Sequence, residues 1–262
     1  MARQRMGQHF LGDAAWRHRI FKILSPRANE TWIEIGAGHG EMTRMLAADG
    51  RRVVAIEADP PLAEDLQEKV ASHPHEWPNV EIASRDVLTV DFRELASGDF
   101  HVYGNLPYYI TSPILHHLFE YAEQILSIHI VIQLEVAERV VAKPGRREYG
   151  YLSALCQYYA NPTIALRIPP GAFRPRPKVQ SALVRMTLPG QQSALNVSNE
   201  KGFLQFIQGC FGQKRKILRN NLKQLAPDRK IHEALEESGL RPDSRAEQLT
   251  LAQFASLFAS LA

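Results

Sequence analysis

The chain has 262 residues, room for one large domain or one domain with a small companion, and its composition is that of a folded globular protein, 45% hydrophobic and 23% charged. The longest apolar stretch, residues 125–134, is broken by Ser127, His129 and Gln133 and is too short to span a bilayer. The net charge of +3 divides unevenly: residues 171–230 hold 12 Lys or Arg against 2 Asp or Glu, a balance of +10, so the remainder carries 3 − 10 = −7. Such polarity points to a face for a polyanion, nucleic acid before others.

The basic start has no apolar run behind it, so no secretory signal is expected. Cys156 and Cys210 lack CxxC spacing, which excludes a disulfide framework and suits a reducing, cytoplasmic compartment. His73, His75, His116 and His117 lack companions at ligand spacing, so no metal is expected.

In chain order, short β-rich runs at 31–35, 53–57, 80–83, 100–104 and 128–134 alternate with helical patterns near 41–48, 60–71 and 112–121. This alternation predicts a doubly wound, mostly parallel α/β sheet. A helix near 149–159 and strands near 163–168 and 181–188 follow. The last two are separated by a Pro-rich loop rather than a helix, which predicts an antiparallel final strand. Residues 189–193 read as a linker, and the strand-free remainder as a small all-α domain. The expected division is therefore 1–190 and 191–262.

Chemistry-bearing residues recur at predicted strand ends. The first strand runs into Glu34-Ile35-Gly36-Ala37-Gly38-His39-Gly40, a turn in which backbone can approach a ligand closely. Its G-x-G-x-G spacing, preceded by an acid, favours S-adenosylmethionine over a nicotinamide dinucleotide. Glu34 is expected to cap the turn by accepting backbone N–H bonds. Glu57 ends the second strand, where an acid can accept ribose hydroxyls, and Asp86 follows the third, beside the expected adenine. Asn105-Leu106-Pro107-Tyr108 follows the fourth. An aryl amine is a poor nucleophile, and an Asn side-chain oxygen with the next carbonyl can hold it where positive charge develops. Pro107 keeps the backbone turned, and Tyr108 offers a face for an unstacked base.

These motifs resemble the KsgA-type (RsmA) ribosomal RNA small-subunit adenine dimethyltransferases over nearly the whole chain. The resemblance begins at Gly7-Gln8-His9-Phe10-Leu11 and passes through Gly36, Glu57, Asp86 and Gly104 to Tyr108. It continues through Pro169, Pro170, Phe173, Pro175 and Pro177-Lys178-Val179, and ends in Lys214-Arg215-Lys216-Ile217-Leu218-Arg219-Asn220-Asn221-Leu222, like the family's basic helix. Departures include Ala37 and His39 in the Gly turn, Gln180 where Asp is common, and Gln213-Lys214 where a second Arg is usual.

The resemblance implies a Rossmann-like class I methyltransferase with a seven-stranded sheet and a C-terminal helical domain. It implies S-adenosylmethionine as cofactor and dimethylation of two adjacent adenosines near the 3′ end of 16S rRNA in an immature small subunit, by a monomer. Gln8, His9, Leu11, Gly36, Gly38, Glu57, Asp86 and Asn105 would bind the cofactor. Phe173 would cover the base face opposite Tyr108. Arg174, Arg176, Lys178, Lys214, Arg215, Lys216 and Arg219 would meet RNA. Three alternatives stand beside this reading. One is a large-subunit adenine methyltransferase of the erythromycin-resistance type, another a mainly non-catalytic ribosome-assembly factor, and the third a nicotinamide-dependent oxidoreductase.

Overall fold

In the computed structural model, which describes residues 9–107, 109–212, 216–223 and 226–261, the first element is a helix absent from the predicted pattern, α1 (Ala14–Leu24). Asp13 starts it by accepting the Ala15 and Trp16 N–H groups, and only Ile20 and Leu24 are fully buried. So sparse an apolar stripe, interrupted by basic residues, hid the helix from periodicity.

There follow β1 (Thr31–Ile35), α2 (Glu41–Ala47), β2 (Arg52–Glu57), α3 (Pro60–Ser72), β3 (Val80–Ser84), α4 (Phe92–Leu95), β4 (Phe100–Asn105), α5 (Thr111–Phe119) and β5 (Ile125–Gln133). Then come α6 (Leu134–Val141), α7 (Tyr151–Tyr159), β6 (Asn161–Ile168), β7 (Ser181–Thr187), α8 (Gln192–Leu195), α9 (Glu200–Cys210), α10 (Leu218–Leu222), α11 (Asp228–Glu237) and α12 (Leu251–Leu261). Prolines in the first turn of α3 start it where a missing N–H costs nothing.

The seven strands form one sheet in the order β3-β2-β1-β4-β5-β7-β6. β1 pairs in parallel with β2 and β4, β2 with β3, and β4 with β5, whereas β7 runs antiparallel to β5. The predicted sheet, including its antiparallel final return, is the one observed. Register levels the C-terminal strand ends: Ile35 lies opposite Ile56 on one side and Gly104 on the other, and Glu57 opposite Ser84. The residues that follow these ends are thereby gathered on one edge, where open α/β sheets bind ligands.

The chain separates into two compact units, residues 1–137 with 163–188, and residues 138–162 with 189–262. Segment 138–162, expected with the sheet, thus groups with the tail. The reason is aromatic packing on α7: Tyr158 meets Phe203 of α9 at 5.5 Å between ring centres, and the Tyr159 hydroxyl donates to Glu200. Phe258 of α12 closes on Phe203 and Phe206. Cys156 and Cys210 are buried in this unit; burial pushes the Cys210 thiol up to about 12 and Cys156 higher still, so neither is a nucleophile at neutral pH.

The basic C-terminal motif also differs from expectation. Among its described residues only Leu218–Leu222 are helical, and Lys216 and Ile217 precede that helix, Ile217 in extended backbone. Lys214 and Arg215 lie outside the described residues.

Candidate active site

The level strand ends open onto a cavity of about 210 Å³ in the sheet-bearing unit. Ile35 and Gly36 line it where β1 ends, Glu57, Ala58 and Asp59 where β2 ends, Arg85, Asp86 and Val87 just past β3, and Asn105, Leu106 and Pro107 where β4 ends. The four strand-end positions picked out in the sequence therefore converge.

The Gly turn leaves β1 with Gly36, Gly38 and Gly40 all at positive φ, a conformation L side chains rarely adopt. A Cβ on Gly38 would lie 2.9 Å from the Phe10 ring, which sits over the turn. The acid bracing this turn is Glu57, not Glu34. Glu57, 5% exposed, accepts the Gly38 N–H through one carboxylate oxygen and the Asp59 N–H through the other, both at 2.9 Å. Glu34 instead accepts the Thr43 hydroxyl. Burial pushes its carboxyl up to about 8, so it is uncharged at neutral pH behind the turn.

Asp86 caps the turn after β3 by accepting the Leu88 N–H at 3.0 Å. Asn105 donates from Nδ2 to the His9 carbonyl at 2.8 Å. That bond settles which end of the amide is oxygen, since a carbonyl can only accept, and leaves Oδ1 as the acceptor end on the cavity wall. Pro107 turns the chain, its carbonyl accepting the Ile110 N–H at 3.2 Å.

The N-terminal segment is stapled to this site. Phe10 and Arg174 exchange backbone hydrogen bonds, the His9 ring bonds the Pro175 carbonyl at 2.7 Å, and the Asp13 N–H reaches the Ala172 carbonyl. His9 and Phe10 line the cavity.

Other expected site residues are placed differently. Leu11 is 7% exposed and packs in the core, away from the lining. Gly38 is outside the lining and acts through its bond to Glu57. Phe173, 1% exposed, is buried in the same core cluster as Leu11, Tyr103 and Leu183, so as placed it anchors the Pro-rich loop and presents no face to a base. Gln8 and Tyr108 lie outside the described residues.

Arg176 and Lys178 are exposed, but Arg174 turns its guanidinium onto the Gly171 and Phe173 carbonyls of its own loop. In the second unit Lys216 is exposed, whereas Arg219 pairs with Asp228. Sequence reading missed Phe10, Asp59, Arg85, Ile110 and Tyr109 as cavity residues. Tyr109, 73% exposed at the rim, had a signal, being a second aromatic beside Tyr108.

The sheet order and its ligand edge are those of a Rossmann-like methyltransferase. A dimethyladenosine transferase from Plasmodium falciparum shares the fold, with a TM-score of 0.82 over 95% of this chain and 96% of that one at 22% identity. The 23S rRNA methyltransferase ErmE is also similar, with a TM-score of 0.71 and 28% identity over 96% of this chain and 99% of its own. The family described as Ribosomal RNA adenine dimethylase matches residues 1–262, and the chain belongs to it. Proteins named Ribosomal RNA small subunit methyltransferase A are 37% identical in Acinetobacter baylyi, over 98% of this chain and 91% of the relative, and 39% identical in Xanthomonas campestris, over 98% and 95%.

Proposed function

We propose that the chain dimethylates the 6-amino groups of two adjacent adenosines near the 3′ end of 16S rRNA in the immature small subunit, using S-adenosylmethionine, in the cytoplasm. The observation that carries the reading is the convergence of the Gly turn, Glu57, Asp86 and an oriented Asn105 on one cavity. Support for the small-subunit target comes from relatives of that name at 37–39% identity, above the 28% of the 23S enzyme.

The cavity fits the cofactor: its wall holds Gly36, whose bare backbone admits close approach, and carboxylates at the expected strand ends. Gly36, Glu57 and Asp86 would hold it, with Glu57 accepting ribose hydroxyls on lone pairs beyond those used by Gly38 and Asp59. Bound there, S-adenosylmethionine supplies an activated methyl group. Asn105 Oδ1 and the Leu106 carbonyl accept the adenine amine's two hydrogens, holding the nitrogen lone pair toward the methyl carbon. Pro107 fixes the direction of that carbonyl, and Tyr108 stacks on the unstacked base. Arg176, Lys178, Lys214, Arg215 and Lys216 meet phosphates.

Incubation with radiolabelled S-adenosylmethionine and unmethylated small subunits tests the reading. Label in two adjacent dimethyladenosines near the 16S 3′ end is expected. Label confined to large-subunit RNA would make it an enzyme of the erythromycin-resistance type, and no label a non-catalytic assembly factor.

A further inference from the structure

Residues 14–29, which contain α1, hold Arg17, Arg19, Lys22 and Arg27 and no acid. The helix turns Ile20 and Leu24 into the core and leaves His18, Arg19 and Lys22 exposed along its outer face. Arg17 is committed elsewhere, donating to the Leu11 carbonyl at 2.6 Å. The Arg19 guanidinium lies over the Trp16 ring, 4.6 Å from its centre. This stacking limits the motion of a planar fork without consuming its hydrogen-bond donors.

Several exposed arginines of this unit are neutralised by an acid: Arg44 pairs with Glu76, Arg52 with Glu81, Arg85 with Glu94 and Arg93 with Asp91. Among the described residues neither Arg19 nor Lys22 has such a partner. The face is also tied to the site. Asp13, the residue that starts α1, bonds Ala172 of the Pro-rich loop, and Gly12 packs 3.0 Å from the Arg174 side chain, measured from an ideal Cβ. Four residues before Asp13, His9 lines the cavity and receives the Asn105 hydrogen bond. An 11-residue helix extends roughly 16 Å from that point, enough to follow several nucleotides of backbone.

We propose that the outer face of α1, through Arg19 and Lys22 with His18 beside them, binds the sugar–phosphate backbone of the RNA substrate next to the nucleotide in the cavity. The proposal rests on the reading of the chain as an rRNA methyltransferase and adds a docking surface on the catalytic unit. A stacked, unpaired Arg and a Lys one helical turn further along suit phosphates, which position a strand without reading bases.

The test is an Arg19→Gln/Lys22→Gln protein, which removes the charge while keeping a polar side chain of similar helix propensity, beside an Arg19→Glu/Lys22→Glu protein. Each is titrated with S-adenosylmethionine and with unmethylated small subunits across a salt series. S-adenosylmethionine affinity should stay within about twofold of wild type. Subunit affinity should fall several-fold at low salt, more for the Glu pair, and the log–log salt slope of the Gln pair should drop by roughly 1.4–1.8, two contacts at about 0.7–0.9 each. Wild-type subunit affinity and slope in variants that bind S-adenosylmethionine normally would overturn the proposal and make the face merely solvated. If the Glu pair loses S-adenosylmethionine binding through misfolding, the Gln pair decides alone. A wild-type protein that labels no small-subunit RNA sinks the parent reading instead, so the two failures are distinguishable.

Discussion

Glu57 has two tasks. Its oxygens brace the Gly turn through Gly38 and the start of α3 through Asp59, and the same carboxylate faces the cavity. Glu57→Ala should therefore weaken S-adenosylmethionine binding by about 1.5–3 kcal/mol, the range for hydrogen bonds to charged groups, as calorimetric titration would read. An unchanged dissociation constant in a folded variant would remove Glu57 from the site. Asn105 divides its amide differently, one end tied to the His9 carbonyl and the other left as an acceptor. In Asn105→Ala the single-turnover methylation rate should fall by about 10²–10³, with cofactor affinity close to wild type. Near-normal turnover would refute the acceptor role. Both residues were found from the sequence because they end apolar strands. That Glu57, rather than Glu34, holds the turn was not legible, since it depends on a hydrogen bond spanning 19 residues.

At the scale of elements, β1 carries a buried acid that its neighbours keep neutral. Glu34 has its carboxyl raised to about 8 by burial, opposed by the Thr43 hydroxyl bond from α2. An acid raised above its unfolded value binds its proton more tightly when folded. Below about 4.5 both states are protonated and no cost arises. As pH rises from there to about 8 the unfolded chain ionises first, and the group's contribution to stability falls by up to about 1.4 kcal/mol per pH unit. Glu34→Gln retains an acceptor for Thr43 and cannot ionise. Denaturant unfolding should show its stability gaining on wild type through that window and the difference levelling above it. A pH-independent difference would mean the acid is not held neutral. The Pro-rich loop gives a second case. Phe173 is buried among Leu11, Tyr103 and Leu183, so Phe173→Ala should cost about 3–5 kcal/mol of stability in the same assay. A loss below about 1 kcal/mol would reject the anchor role.

For the molecule as a whole, net charge conceals the functional asymmetry: +3 overall is +10 over residues 171–230 and −7 elsewhere. Within that basic segment the structure sorts cations by availability. Arg219 is paired with Asp228 and Arg174 with loop carbonyls, whereas Arg176, Lys178 and Lys216 are exposed. Replacing Arg176 and Lys178 with Ala should therefore lower the log–log salt slope of small-subunit binding by roughly 1.4–1.8, while Arg219→Ala should change it by less than one contact's worth of about 0.7–0.9. Equal effects from both proteins would show that ion pairing within the chain does not decide which cations reach RNA.

The sequence alone determined the sheet, its antiparallel final strand and the strand-end placement of Gly36, Glu57, Asp86 and Asn105. Each rests on a local signal, either an apolar run of strand length or a glycine or polar residue at the end of one. The tertiary structure decided matters that depend on distant partners. It buried Phe173, made α1 a helix on one thin apolar stripe, and drew residues 138–162 to the helical unit through Tyr158 and Tyr159. It also oriented the Asn105 amide through His9, 96 positions away in the chain. Burial and hydrogen-bond pairing between remote segments leave no periodic trace in either segment, so only the folded chain reveals them.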